Sequence, residues 1–144
     1  MRMQISFRRL SDKTPLPAYH TSGACAFDLA VIEEGVLAPG ERKLFRTGLV
    51  IRVPEHHVLI LAPRSSNAKK GIQLANGIGI IDQDYCGPED ELKLFLYNIG
   101  TEPYRITEGE RLAQGLFLPV AQATFIEPAS WDAQENRGGF GTTG

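Results

Sequence analysis

The stretch RGGFGTTG sets Arg137, Phe140, Thr142 and Thr143 among Gly138, Gly139, Gly141 and Gly144. Glycines let backbone N–H groups approach a ligand closely, and successive N–H groups in such a turn form a nest for an anion. The arginine fork suits phosphate, and the threonine hydroxyls add donors. Phe140 is a lone apolar ring that needs something flat against it. Taken alone, a polar glycine-rich tail is more commonly plain disorder. No GxxxxGK[ST] exists in the chain, so it is not a Walker loop. In APRSSNAKKGI, Arg64, Ser65 and Ser66 stand where a short helix would begin, and helix starts attract anions. The plainer alternative is a helix cap beside a surface arginine. In NGIGIIDQDYCG, Asp82 and Asp84 alternate, so on a strand or hairpin arm they share a face, with Tyr85 on the other. Asn76-Gly77 is a strong turn dipeptide, and Gly77 and Gly79 leave room for a base to reach the backbone. Paired acids near a phosphate site point to a metal or a general base; elsewhere they simply line a solvated edge. Asp28, in ACAFDLA, is an acid among small and apolar residues, costly without a partner. Gln114, in GERLAQGLF, interrupts a strand-like run. A turn-capping acid and an outward-facing amide are their ordinary roles.

The elements that must position these residues read as strands. MQISFRRL, KLFRTGLVIRV, HVLILAP and LKLFLYN show alternation or a continuous apolar run. GERLAQGLFLPVAQATFIEP reads as one or two more, broken near Gly115 and Pro119. Prolines fall between runs and glycines mark turns. Ser65 to Gln73 is the single candidate helix, capped by Ser65 or Ser66 and stopped by Gly71. Many short strands at this spacing predict an all-β barrel or sandwich. From about Pro128 the chain turns polar and glycine-rich, which divides it into a β domain over 1–127 and an arm over 128–144.

The bulk numbers exclude more than they assert. The 144 residues suffice for one domain with a real core. Fifteen basic against seventeen acidic residues give a net charge of -2, no broad reason to expect nucleic acid or membrane as partner. A local cluster of donors still accommodates a small anion. Cys25 and Cys86 form no CxxC pair, and His20, His56 and His57 have no metal-site spacing. Two lone thiols, no apolar run near the roughly 20 residues of a membrane span, and no signal-peptide core predict a soluble cytoplasmic protein.

Together, ACAFDLA, APRSSNAKKGI, NGIGIIDQDYCG, GERLAQGLF and RGGFGTTG resemble, in order, the five motifs of the trimeric dUTPase family. Leu10, Pro17, Tyr19 and Gly23 before the first motif are also similar. The resemblance implies a distorted β-barrel or jelly-roll-like fold with one short helix and a C-terminal arm. It implies hydrolysis of dUTP to dUMP and pyrophosphate with Mg2+, in a homotrimer whose sites lie between subunits. Such an enzyme limits uracil in DNA and supplies dUMP. By resemblance Asp82 is the base that activates a water for in-line attack on the α-phosphorus. Tyr85 lies under the deoxyribose and leaves no room for a 2′-hydroxyl. Asn76 and the backbone from Gly77 to Gly79 read the uracil edge. Arg64, Ser65, Ser66 and Gln114 contact phosphates, and Asp28 holds a magnesium-bound water. Phe140 stacks on uracil as the arm closes, bringing Arg137, Thr142 and Thr143 to the phosphates.

The chain departs from the family pattern in places. Asn67 stands where an apolar residue is usual, Cys86 where arginine is frequent, and the fifth motif is short. Pro88 to Glu91 make the segment after the third motif a few residues longer, predicting a bulge or longer turn. Two other readings compete. A dCTP deaminase, or a bifunctional enzyme, shares the serine pair and the third-motif aspartate but needs a glutamate where Phe95 stands. A regulator that binds nucleotide without cleaving it would not need the full set of catalytic groups present here.

Overall fold

In the computed structural model, residues 3–132 and 135–141 are described. Among them are ten strands and one helical turn: β1 (Phe7–Arg9), β2 (Phe27–Ala30), β3 (Gly35–Leu37), β4 (Arg42–Ile51), β5 (His57–Pro63), α1 (Asn67–Lys70), β6 (Ile72–Leu74), β7 (Gly79–Ile81), β8 (Leu92–Asn98), β9 (Tyr104–Ile106) and β10 (Arg111–Pro119). In β8, Leu92, Leu94 and Leu96 are buried while Lys93 and Phe95 face out, the period-2 pattern that puts one face of a strand in a core. Two antiparallel sheets result, ordered β1-β4-β8-β6 and β2-β10-β5-β7, beside a small β3-β9 ribbon. Each four-stranded sheet keeps two edges, so the layers form a jelly-roll-like sandwich and not a closed barrel. Phe27, Leu37, Phe45, Leu59, Leu94, Ile106 and Leu112 lie in the shared core. Full burial of each such side chain contributes about 1.5–3 kcal/mol before entropy is set against it.

The four expected runs are all strands, although β1 covers only three residues of its run. Three expectations are corrected. The expected break near Gly115 does not occur: β10 runs unbroken from Arg111 to Pro119. A Cβ at 115 would lie 2.7 Å from the Phe27 ring, so this glycine admits a neighbour's side chain instead of ending the strand. The helix is shorter than Ser65 to Gln73, because Gly71 adopts φ +66° and stops it, and Gln73 belongs to β6. Asp82 and Asp84 share no strand face. β7 ends at Ile81, and Asp82 opens a turn in which the Tyr85 N–H donates to the Asp82 carbonyl at 3.3 Å.

Beyond β10 the Val120 N–H donates to the His56 carbonyl, and residues 120–132 then run on exposed. Phe125, Ile126 and Trp131 are 93%, 82% and 82% exposed. Cys25 and Cys86 are free thiols. No helix among the described residues is long and apolar enough to cross a membrane.

Candidate active site

Strand register gathers one set of the expected residues. β10 lies between β2 and β5 and places Gln114 opposite both Asp28 and Ala62. Phe27 and Leu29 point into the core, so Asp28 between them faces outward with Gln114. Gln114 Nε2 donates to the Pro63 carbonyl at 3.0 Å, tying it to the end of β5 where Arg64 begins. Arg64 Nε donates to Asp28 Oδ1 at 2.9 Å, and Arg111 Nη1 to Asp28 Oδ2 at 3.1 Å. The His20 imidazole sits 3.2 Å from that same Oδ2 and 2.9 Å from Arg111 Nη1. The imidazole thus packs against both members of the Arg111–Asp28 pair. Two guanidiniums around one carboxylate leave the cluster cationic, which suits an anionic ligand. Ser65 is exposed, while Ser66 Oγ is buried and has no hydrogen-bond partner among the described residues. An orphaned buried hydroxyl costs about 1–3 kcal/mol unless a ligand or water satisfies it. Next to Arg64, a phosphate oxygen is a chemically apt partner.

Glu110 anchors the start of β10 at this end. It accepts from Lys70 Nζ at 3.0 Å, from the Tyr104 hydroxyl and from the Thr107 N–H. Burial by itself would raise the pKa of its carboxyl; the hydrogen bonds from Tyr104, Lys70 and Thr107 outweigh that and hold it below the usual carboxylate value.

The other expected residues lie elsewhere. In the Asn76-Gly77 turn, Gly77 adopts φ +74° and Asn76 Nδ2 donates to the Ile78 carbonyl at 2.9 Å. This turn passes the chain from β6 in one sheet to β7 in the other. Gly79 pairs with Leu61, and a Cβ there would press on the Leu61 side chain at 3.1 Å. β7 then runs away from the Arg64 end, since Ile81 pairs with Leu59. Asp82 is thus level with Val58, six residues short of Arg64 along β5, or about 20 Å at about 3.3 Å per residue. Asp82 is exposed and, among the described residues, takes part in no ion pair, whereas Asp28 pairs with both Arg64 and Arg111. The Tyr85 hydroxyl donates to the Glu91 carbonyl at 3.0 Å. The phenol pKa is raised first by burial and then by the charges of Asp90 and Glu91, which keeps it a donor.

Arg137 is exposed, and Phe140 is 112% exposed at φ +52°, a backbone conformation unusual for a ring-bearing residue. Thr142 and Thr143 lie outside the described residues. One chain therefore brings together Asp28, Arg64, Ser65, Ser66 and Gln114, and keeps Asp82 apart from them. Sequence reasoning passed over His20, Arg111 and Glu91. Arg111 alone carried a signal, as a cation three residues before Gln114 at the head of an apolar strand. A cleft of about 880 Å³ involves His20 and Cys25 beside Phe7, Phe27 and Phe117, and none of the expected catalytic or phosphate groups lines it.

Among the described residues, no three or more His, Cys, Asp or Glu side chains cluster as metal ligands. Of the two acids at the cationic end, Asp28 has both oxygens engaged by arginines and Glu110 is taken up by Lys70, Tyr104 and Thr107. That fits a magnesium ion held mostly by phosphate oxygens and water, with Asp28 reaching it through water, and does not fit a cage of protein carboxylates.

Comparison with known proteins identifies the family. The dUTPase family model matches residues 12–144. The deoxyuridine 5'-triphosphate nucleotidohydrolase of Sodalis glossinidius (strain morsitans) is 44% identical, over 99% of this chain and 95% of its own length. The crystal structure of the dUTPase from Streptococcus mutans superposes with a TM-score of 0.76 at 32% identity, covering 83% of this chain and 98% of that one. A dUTPase from phage phi11 of S. aureus, in which a structural Mg(II) ion is coordinated, shares the fold alone at 21% identity, with a TM-score of 0.82 over 91% of this chain and all of its own. With a family match across residues 12–144 and a relative this similar along nearly its whole length, the chain belongs to the dUTPase family, the deoxyuridine 5'-triphosphate nucleotidohydrolases.

Proposed function

We propose that the protein hydrolyses dUTP to dUMP and pyrophosphate by in-line attack of water on the α-phosphorus, with Asp82 as general base. The observation that carries this reading is the contrast between two acids. Asp28 is clamped by Arg64 and Arg111, while Asp82 is exposed and outside every ion pair among the described residues, available to take a proton from water. Arg64, Ser65, Ser66 and Gln114 bind the phosphates. Asn76 and the backbone to Gly79 read uracil, Tyr85 lies under the deoxyribose, and Phe140 stacks on the base with Arg137, Thr142 and Thr143 near the phosphates. Magnesium, when bound, neutralises phosphate charge and helps pyrophosphate leave.

A base must come within about 3 Å of its proton, directly or through one water. The separation of about 20 Å between Asp82 and Arg64 along one chain supports a site shared between subunits of a homotrimer, with Asp82 of one copy facing the Arg64 end of another. The exposed Phe125, Ile126 and Trp131 support the same assembly, since a lone chain would leave them all in water. The arm over 128–144 closes on such a shared site. Two free thiols suit a reducing compartment, and the cytoplasm is the proposed location.

Hydrolysis is favoured over deamination because Phe95, on the outward face of β8, has no proton to exchange where a deaminase needs an acid. Pyrophosphate release from dUTP with magnesium, beside dCTP, dTTP and UTP and with ammonia followed in the dCTP sample, tests the proposal. Fast release from dUTP alone is the expected result. Ammonia from dCTP, or binding of dUTP without turnover, overturns it.

A further inference from the structure

Tyr85 is proposed above to exclude a 2′-hydroxyl, and a ring excludes an atom only while it cannot yield. The structure shows what keeps this ring from yielding. Its hydroxyl closes the loop from Tyr85 to Glu91 by donating to the Glu91 carbonyl at 3.0 Å. Glu91 is itself buried, and its carboxylate accepts from Arg46 Nε at 3.0 and 3.3 Å and from the Gly48 N–H at 2.5 Å. Gly48 tolerates no side chain: it sits in the β4 bulge at φ +70°, where a Cβ would fall 1.9 Å from Thr14 Oγ1. Leu92, the residue after Glu91, is fixed to the same bulge, because the Thr47 hydroxyl donates to the Leu92 carbonyl at 2.5 Å. The outer side of the loop is closed as well. The Gly87 N–H donates to Asp90 Oδ2 at 2.7 Å, and Arg8 Nη2 donates to the Gly87 carbonyl at 2.9 Å. The longer segment after the third motif is therefore an ordered brace between β1, β4 and Tyr85.

We propose that Glu91, clamped by Arg46 and the Gly48 N–H, is a positioning residue that holds the Tyr85 ring against the sugar and so sets selectivity for deoxyribose over ribose. The proposal rests on the reading of Tyr85 as the sugar platform. A displacement of about 1 Å in a supporting shell is enough to loosen a site. Glu91 is buried and acts through the ring, so its effect should appear as a change in discrimination.

The test is the ratio of kcat/KM for dUTP to that for UTP in the magnesium-loaded, full-length enzyme. The wild type, Tyr85→Phe, Arg46→Met, the double variant and Tyr85→Ala are compared, with melting temperatures alongside. The ratio is expected to fall about tenfold in Tyr85→Phe and in Arg46→Met, chiefly because UTP turnover rises. The double variant should fall no further than either single, as expected of one shared device. Tyr85→Phe leaves the Glu91 clamp whole, so a folding defect in Arg46→Met does not remove the test. An unchanged ratio in Tyr85→Phe, with a fallen one in Tyr85→Ala, overturns the brace and leaves the platform standing. An unchanged ratio in Tyr85→Ala removes the platform and the brace together. Equal losses on both substrates with a lowered melting temperature assign Glu91 to stability only and contradict the proposal.

Discussion

The two ends of β5 carry different chemistry. Past Pro63, at the C-terminal end, Asp28 is locked between Arg64 and Arg111 with His20 beside it, and Ser66 Oγ has no partner among the described residues. Level with the other end, Asp82 stands exposed in a turn, with Tyr85 braced close by in the chain. Under the proposed reading the first end holds an anion and the second offers a base. Burial of charge and hydrogen bonding, not residue type, make one aspartate structural and the other available. The distance between the ends is the reason we propose that one folded chain supplies two half-sites.

The largest effect belongs to the base. Asp82→Asn should lower kcat by roughly a thousandfold, within the range for loss of general-base catalysis, while dUTP binding by calorimetry persists. Full turnover in that variant would assign the base elsewhere. At the opposite end Arg64→Ala should act mainly through KM, raising it about tenfold to a hundredfold as a charge-assisted contact of about 1.5–3 kcal/mol is lost. In the wild type KM should also rise with ionic strength, less so in Arg64→Ala. A pure kcat effect would mean that the cationic end does not bind substrate. Phe140→Ala should lower kcat/KM about tenfold, near the upper value of a stacking contact, with no change in melting temperature. A large drop in melting temperature would make the ring part of the core.

The smallest effect concerns how the cationic end is held. Glu110 has a folded pKa below the usual carboxylate value, so the stability it contributes is complete above that usual value and is lost as pH falls through the lowered one. Glu110→Gln should therefore flatten the acid limb of the stability profile between those two values, read by thermal melts from neutral pH down to about pH 3. An unchanged limb would remove Glu110 from the anchoring of β10.

Much of this was legible in the residues. The runs in β4, β5, β8 and β10 carry alternation or unbroken apolar character, and their strands follow. The strands β3, β6, β7 and β9 are three residues each, too short for any period to register, and exist because neighbours pair with them. Gly115 reads as a break in the sequence and proves to be a seat for the Phe27 ring, a tertiary fact. The proposed site residues were legible through the order of five motifs. Their division into two ends was not, because it depends on which residue of β5 faces which residue of β7 and β10. Glu91 and His20 left no trace in the sequence for the same reason: each gains its meaning from partners 43 and 91 residues away.

Mixing two inactive variants tests the central claim, that these half-sites complete one another across subunits. Asp82→Asn and a multiple variant lacking Arg64, Ser65, Ser66 and Gln114 side chains are each prepared alone, then co-refolded in equal amounts and assayed on dUTP. If each site takes its base from one copy and its phosphate donors from another, random assembly restores about a quarter of the wild-type activity per site. If both come from the same chain, every site in the mixture lacks one half, and the mixture stays as inactive as its parents.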